Sequence, residues 1–304
     1  DLVYTVSGLV SFWNGGVVSG TLLTLTGNRV YAANSGGDGN FTVRSAPAGN
    51  YTLTPSKSDS VRGISAFDAS LALQHDAGSA VLSGNALKAA DVDKSGTVNA
   101  MDAYYILQKA VDLLALPFPG AGAVWAFNPA SRSVAGLNAN RTGQDFTAVL
   151  LGDASGNWSA NPSLRLGDAP QEGGIRLRLI EGEPNPDGSV SVSLWGDPSS
   201  ARVYSLDAQL AFDSGAWEWI SVEPGDAATG MALAANPNGA SGVRLALAGA
   251  QPVNGPGELL VFHLRARGPQ PTATLLSPVC NEGALPVQWE SGGQYRQFLP
   301  VVDN

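Results

Sequence analysis

Two segments of this chain repeat one another at an offset of 34 residues: Ser65-Ala66-Phe67-Asp68-Ala69-Ser70-Leu71-Ala72-Leu73-Gln74 and Asn99-Ala100-Met101-Asp102-Ala103-Tyr104-Tyr105-Ile106-Leu107-Gln108. A repeat of this size implies a duplicated supersecondary unit. Both copies are helical by spacing, since Ala103, Ile106, Leu107, Ala110, Val111 and Leu114 fall at i, i+3, i+4 intervals, with Ala69, Ala72 and Leu73 as the earlier counterpart. Everything around the pair reads as strand. Tyr4, Val6, Gly8 and Val10 alternate with their neighbours, and residues 21–26, 40–43 and 50–53 are β-rich, with turn signals at Asn14-Gly15-Gly16 and Gly36-Gly37-Asp38-Gly39. Strand signals return at 124–127 and 145–151, and again at 175–180, 189–194, 204–212, 243–247 and 259–264. With 37 glycines and 19 prolines in 304 residues, the expected class is mainly β: two antiparallel β-sandwiches with a small two-helix insertion.

The stretch opening the second repeat carries the strongest chemistry. Asp91-Val92-Asp93-Lys94-Ser95-Gly96-Thr97-Val98-Asn99-Ala100-Met101-Asp102 places oxygen side chains at loop positions 1, 3, 5 and 12, with glycine at 6. Thr97 offers its carbonyl at position 7, and Asn99 acts at 9 directly or through water. Calcium (Ca2+) takes six to eight oxygens, and this spacing wraps them round one point. The other reading of the stretch is a polar turn with Asp102 as a helix N-cap. Counting back 34 residues puts Lys57 at position 1, Asp59 at 3, Val61 at 5, Arg62 at 6 and Asp68 at 12. A lysine at position 1 removes a ligand and adds repulsion, so the first loop is expected to be empty or to hold a weaker site on Asp59 and Asp68. Asp153-Ala154-Ser155-Gly156-Asn157 lacks a position-12 acid and reads as a turn.

These residues carry three family resemblances. The Asp91–Asp102 loop, with Asp rather than Glu at its end, a helix following and no matching helix before it, resembles the dockerin family. Val6-Ser7-Gly8, Gly20-Thr21, Gly39-Asn40-Phe41 and Pro47-Ala48-Gly49-Asn50-Tyr51 resemble carboxypeptidase-regulatory-like or CnaB-like sandwiches. Trp125 to Ser131 and Thr142 to Phe146 look like closing strands of that sandwich, which would make the helical pair an insertion. The strand from Tyr204 to Asp213, the segment from Gly255 to Leu264 and Asn281-Glu282-Gly283-Ala284-Leu285-Pro286-Val287 resemble a cohesin. The division implied is a first sandwich at 1–160 with the helical insertion at about 61–116, a linker at 161–173, a cohesin-like sandwich at 174–287 and a tail at 288–304.

The resemblance implies a role in protein binding, since dockerins dock on cohesins, nine-stranded sandwiches, through the helix that begins in each loop. Phe67, Leu71, Met101, Tyr104 and Tyr105 lie off the core stripe and are the candidate partner-binding residues. The alternative is that this second helix face packs on the chain's own first sandwich. The expected partners are protein modules, other copies of the chain among them; head-to-tail pairing of helices on the next copy's sandwich would give an open surface filament or scaffold. The alternatives are that both halves bind other proteins or that the two halves bind each other within one molecule. A carbohydrate-binding adhesin using Trp217 and Trp219, or an adaptor of an extracellular complex, is the alternative function.

Composition excludes other classes. A net charge of −9 and a pI near 4.6 oppose nucleic-acid binding. No apolar run reaches the roughly 18 residues of a membrane helix. Cys280 is the sole cysteine, so no internal disulfide forms, and the low thiol usage suits a secreted, cell-surface location. His75 and His263, the two histidines, stand in a helix end and a strand, and Glu181 and Glu183 precede a turn. No nucleophile elbow or Cys–His pair accompanies them, so an enzyme is not expected.

Overall fold

The structure is a computed structural model that describes residues 2–59, 62–159, 173–183, 185–212, 214–239, 242–267 and 273–289. All of the expected linker but Gly173, and most of the tail, lie outside these residues. Chain contacts divide the molecule into two compact units: Asp1–Gly63, Ser83–Thr97 and Leu116–Leu166 form one, and Ile64–Leu82, Val98–Ala115 and Gly167–Asn304 form the other.

The first unit is a sandwich of two four-stranded sheets, ordered β4-β1-β8-β6 and β3-β2-β5-β7. Its strands are β1 (Val3–Phe12), β2 (Leu22–Thr26), β3 (Val30–Asn34), β4 (Asn40–Pro47), β5 (Gly49–Ser56), β6 (Trp125–Asn128), β7 (Arg132–Leu137) and β8 (Phe146–Leu150). Period-two burial builds its core: Leu23 and Leu25, Phe41 and Val43, and Tyr51 and Leu53 point inward from successive strands. β7 pairs with β5 and β8 with β1, so strands after residue 124 complete the sheets begun before residue 57. The β1–β8 pairing is parallel, so the sheet β4-β1-β8-β6 is mixed, whereas β3-β2-β5-β7 is antiparallel throughout, as expected. Asp153 anchors the turn read at 153–157, its carboxylate accepting from the backbone N–H of Gly156 (2.8 Å), Asn157 (3.1 Å) and Trp158 (3.0 Å).

Among the described residues the chain has three α-helices: α1 (Ala66–Asp76), α2 (Gly84–Ala90) and α3 (Ala100–Ala110). Sequence spacing missed α2, which stands immediately before the Asp91 loop where no helix was expected. It is two turns with Leu87 as its one large apolar side chain and Ala89 and Ala90 fully buried, too short to show a helical period. The two repeats, by contrast, begin alike. Ser65 and Asn99 are N-caps, and Asp68 and Asp102 reach back three residues to the cap N–H at 2.9 and 3.0 Å. Asp102 is thus at the third helical position, not the cap.

The second unit contains α1, α3 and a nine-stranded sandwich among the described residues. Its strands are β9 (Ile175–Glu181), β10 (Ser189–Asp197), β11 (Ser205–Phe212), β12 (Trp217–Pro224), β13 (Ala232–Gly239), β14 (Gly242–Ala248), β15 (Gly257–Ala266), β16 (Ala273–Cys280) and β17 (Val287–Trp289). The sheets are ordered β12-β15-β10-β9-β17 and β13-β14-β11-β16. Leu177, Leu194, Leu206, Leu245, Leu260 and Phe262 fill the space between them. Trp217, which the glycan-binding alternative needs exposed, is in this core at 2% exposure, and Trp219 packs partly buried against it, stacked on Phe212.

Candidate functional site

The loop before α3 is shaped by two residues with positive φ, Lys94 (60°) and Gly96 (90°), and by Val92 and Val98, which are buried on either side of its exposed tip. The turn folds the acids towards one point: oxygens of Asp91, Asp93 and Asp102 all lie within 4.8 Å of one another. Asp93 Oδ1 accepts from Ser95 N at 2.9 Å, and Asp91 Oδ2 from Gly96 N at 3.3 Å. Asp91 Oδ1 is buried with no hydrogen-bond partner, a costly state for a carboxylate oxygen. Three gathered carboxylates with one orphaned oxygen suit a hard divalent cation. Ser95 and Thr97 sit on the exposed rim, Ser95 Oγ donating to the Thr97 carbonyl at 3.0 Å. Asn99, the cap of α3, accepts from Met101 N at 2.8 Å. A side chain at Gly120 (φ 82°) would come within 2.6 Å of the Asp93 carbonyl, so only glycine lets that segment lie against the loop.

The corresponding residues of the first repeat do something else. Lys57 donates to the Ser19 carbonyl at 2.9 Å and pairs with Asp59 at 2.7 Å, its side chain only 6% exposed. Its ammonium lies 5.9 Å from the Trp125 ring centre. Asp59 therefore neutralises a lysine, and Asp68 is committed to capping α1.

The candidate partner-binding residues separate by repeat. Phe67 is buried and Leu71 half-buried on α1, whereas Met101 and Tyr104 on α3 are 49% and 54% exposed, with Tyr105 half-buried. The burial of α1 comes from the second sandwich, not from the first, which was the alternative weighed from the sequence. α1 packs on β11 and β14, and α3 on β13 and β14, of the sheet β13-β14-β11-β16. Ala69, Ala72, Ala103, Ile106 and Leu107, from the predicted stripe, are buried, and α1 packs on α3.

Polar contacts fix the pair at two ends. At the start of α1, both carboxylate oxygens of Asp207 on β11 accept from Ala66 N, at 3.1 and 3.2 Å, and Ser65 Oγ donates to Glu282 Oε1 at 2.5 Å. Glu282 sits in a 3₁₀ turn with φ 55°, preceded by Asn281 at φ 45°. That uncommon backbone is held by the buried Asn281 side chain, which accepts from Tyr204 N (2.8 Å) and Ser205 N (3.1 Å) and donates to the Arg202 carbonyl (2.7 Å). At the end of α3, Asn236 Nδ2 donates to the Val111 carbonyl at 2.8 Å, and Arg244 pairs with Asp112. Helix N-termini favour anions and C-termini favour donors and cations, and the sheet supplies each at the matching end. Sequence reading missed Asp207, Asn236, Arg244 and Glu282 as contact residues. The signal for two of them was their place in the cohesin-like segments, Asp207 within Tyr204 to Asp213 and Glu282 within Asn281 to Val287.

Both histidines are engaged. His75 Nδ1 accepts from Leu82 N at 3.1 Å. His263 on β15 lies between Ser191 on β10 (3.2 Å) and Glu223 on β12 (3.3 Å), a polar row across three neighbouring strands.

No protein-family model matches the chain, and no curated protein matches it. Among solved structures it is similar to a non-cellulosomal cohesin from the hyperthermophilic archaeon Archaeoglobus fulgidus, at 14% identity and TM-score 0.33, covering 38% of this chain and 86% of that one. It is similar also to a cohesin module from a Clostridium perfringens family 33 glycoside hydrolase (10%, TM-score 0.31, 39% and 98%). A third is the structure of a type I cohesin–dockerin complex from Clostridium thermocellum (13%, TM-score 0.33, 42% and 93%). These neighbours are cohesin modules, and at such values the likeness concerns the sandwich fold alone.

Proposed function

We propose that this chain is an extracellular, calcium-stabilised protein-interaction protein whose helical pair and nine-stranded sandwich are the two halves of one contact. The observation that carries this reading is the seating of α1 and α3 on the sheet β13-β14-β11-β16, with carboxylates at a helix start and an amide and guanidinium at a helix end. Calcium in the Asp91–Asp102 loop would neutralise three gathered carboxylates and fix where α3 begins. Made between copies, the same contact joins chains head to tail into a scaffold or filament. The glycan-binding alternative loses its aromatic pair, since Trp217 is buried and Trp219 packs on the core.

The test is thermal unfolding and amide exchange of the full chain in millimolar calcium and then in chelator. A loop with a dissociation constant of about 10 μM, at the weak end of sensor-type sites, gains about 2.7 kcal/mol at 1 mM calcium. The expected result is a higher Tm with calcium and slower exchange of the first α3 amides. Identical melting and exchange in both conditions would sink the calcium reading.

A further inference from the structure

We infer that the docking face of the second sandwich is closed by the chain's own helices and opens by exchange with the helices of a second copy. This rests on the function proposed above and extends it from what is bound to how binding is controlled.

Chain order and packing disagree about where the helices belong. By sequence, α1 and α3 lie between β5 and β6, strands of the first sandwich; by packing, they lie on a sheet whose earliest strand, β11, begins at Ser205. No short connection joins the helices to the surface they occupy. Peptide linkage therefore leaves open whose helices fill it.

The surface itself is selective. Asp207 and Glu282 suit a helix start with a hydroxyl cap, and Asn236 and Arg244 suit a helix end carrying a free carbonyl and an acid. The 34-residue offset equates Asp112 with Gly78, and both have positive φ, at 59° and 70°. Gly78 has no carboxylate for Arg244, so the ends are not interchangeable. The occupant specified is this chain's helical pair in this direction, from its own copy or from another.

Which copy supplies it is set by effective concentration, about millimolar for a contact within one chain. At micromolar protein the closed copy wins. Exchange yields closed dimers or open chains once the internal contact is weakened or the local concentration reaches millimolar.

The test uses two full-length variants. A helix-side variant, Ser65→Asp with Asp112→Arg, keeps a competent N-cap residue but sets like charges against Asp207, Glu282 and Arg244. A sheet-side variant, Glu282→Lys with Arg244→Glu, keeps native helices and spoils the surface. Each alone is expected to be monomeric, with exchange of α1 and α3 amides at least tenfold faster than in the native chain. Mixed one to one at about 200 μM, native helices meet a native sheet on different copies, giving a heterodimer with slow exchange restored. All four substitutions in one chain restore opposite charges at the 65–282 and 112–244 contacts, with Asp207 and Lys109 still facing like charges, and return a monomer whose exchange is slower than in either variant alone. A mixture that stays monomeric and unprotected overturns exchange between copies while leaving the docked pair intact as a reading. If neither variant alone changes α1 exchange, the end contacts themselves are refuted and the proposed function falls with them.

Discussion

The two helix starts provide an internally controlled measurement of how strongly α1 is held on the sandwich. Ser65 and Asn99 cap equivalent helices through equivalent boxes, accepting from Phe67 N at 3.1 Å and Met101 N at 2.8 Å. Either truncation to alanine loses a cap worth about 1 kcal/mol. Ser65 differs in one respect, donating to the Glu282 carboxylate at 2.5 Å in a part-buried setting. Hydrogen bonds to charged groups contribute about 1.5–3 kcal/mol. Ser65→Ala should therefore cost about 2–3 kcal/mol and Asn99→Ala about 1 kcal/mol, a gap of at least 1 kcal/mol after allowing for non-additivity. The comparison belongs in chelator, so that any role of Asn99 at a metal does not enter. Native-state exchange of α1 and α3 amides is the suitable assay, because a chain of two units need not unfold in one step. Equal costs, or a larger one for Asn99→Ala, would refute the claim that Glu282 holds the start of α1.

Asp91→Asn removes one of three gathered carboxylates and should weaken calcium binding at least tenfold by isothermal titration, with the chelator-induced fall in Tm shrinking to match. Lys57→Ala removes a nearly buried side chain bound to Ser19 and Asp59; it should lower stability by about 1–2 kcal/mol yet leave the ion count at one per chain by native mass spectrometry. Burial, with the nearby Asp207 charge adding to it, pushes the Cys280 thiol up to about 12. Its raised value means stability is whole below the unfolded-state pKa near 9 and falls as pH climbs from there towards 12, by at most about 1.4 kcal/mol per pH unit. Denaturant melts at pH 8 and 10.5 of the native chain and Cys280→Ala read this directly, and alkylation at pH 8 should require unfolding.

What could be read in advance was whatever depended on neighbours in sequence. The acids at 91, 93 and 102 and the glycine at 96 converge through a local turn, so spacing alone brought them together. Strands with clean alternation, such as β2 and β4, were equally visible. β13 was not: Ala232-Leu233-Ala234-Ala235-Asn236-Pro237 mixes alanines with a proline and shows no two-residue period. At β12 the alternation of Trp217 and Trp219 showed a strand but not which face it buries, and it is the core that Trp217 enters. The docking contacts were illegible for a different reason. Asp207, Asn236, Arg244 and Glu282 are ordinary surface residue types, and only the folded sheet sets them opposite the helix ends.

The first helix waits a long time for its partner. The Ala66–Asp207 contact spans 141 residues and the Ser65–Glu282 contact 217. Such distant pairings form slowly because the intervening chain must first be closed into a loop. During synthesis the first sandwich can complete its sheets once residue 150 has emerged, while Phe67 still lacks the sheet that buries it. A growing chain therefore carries an apolar helix face that is neither finished nor hidden until residues 205–283 have been made. Neighbouring nascent chains on one messenger would be the nearest source of a competing sheet, so the arrangement of copies is decided as much by when residues 205–283 appear as by how well they fit.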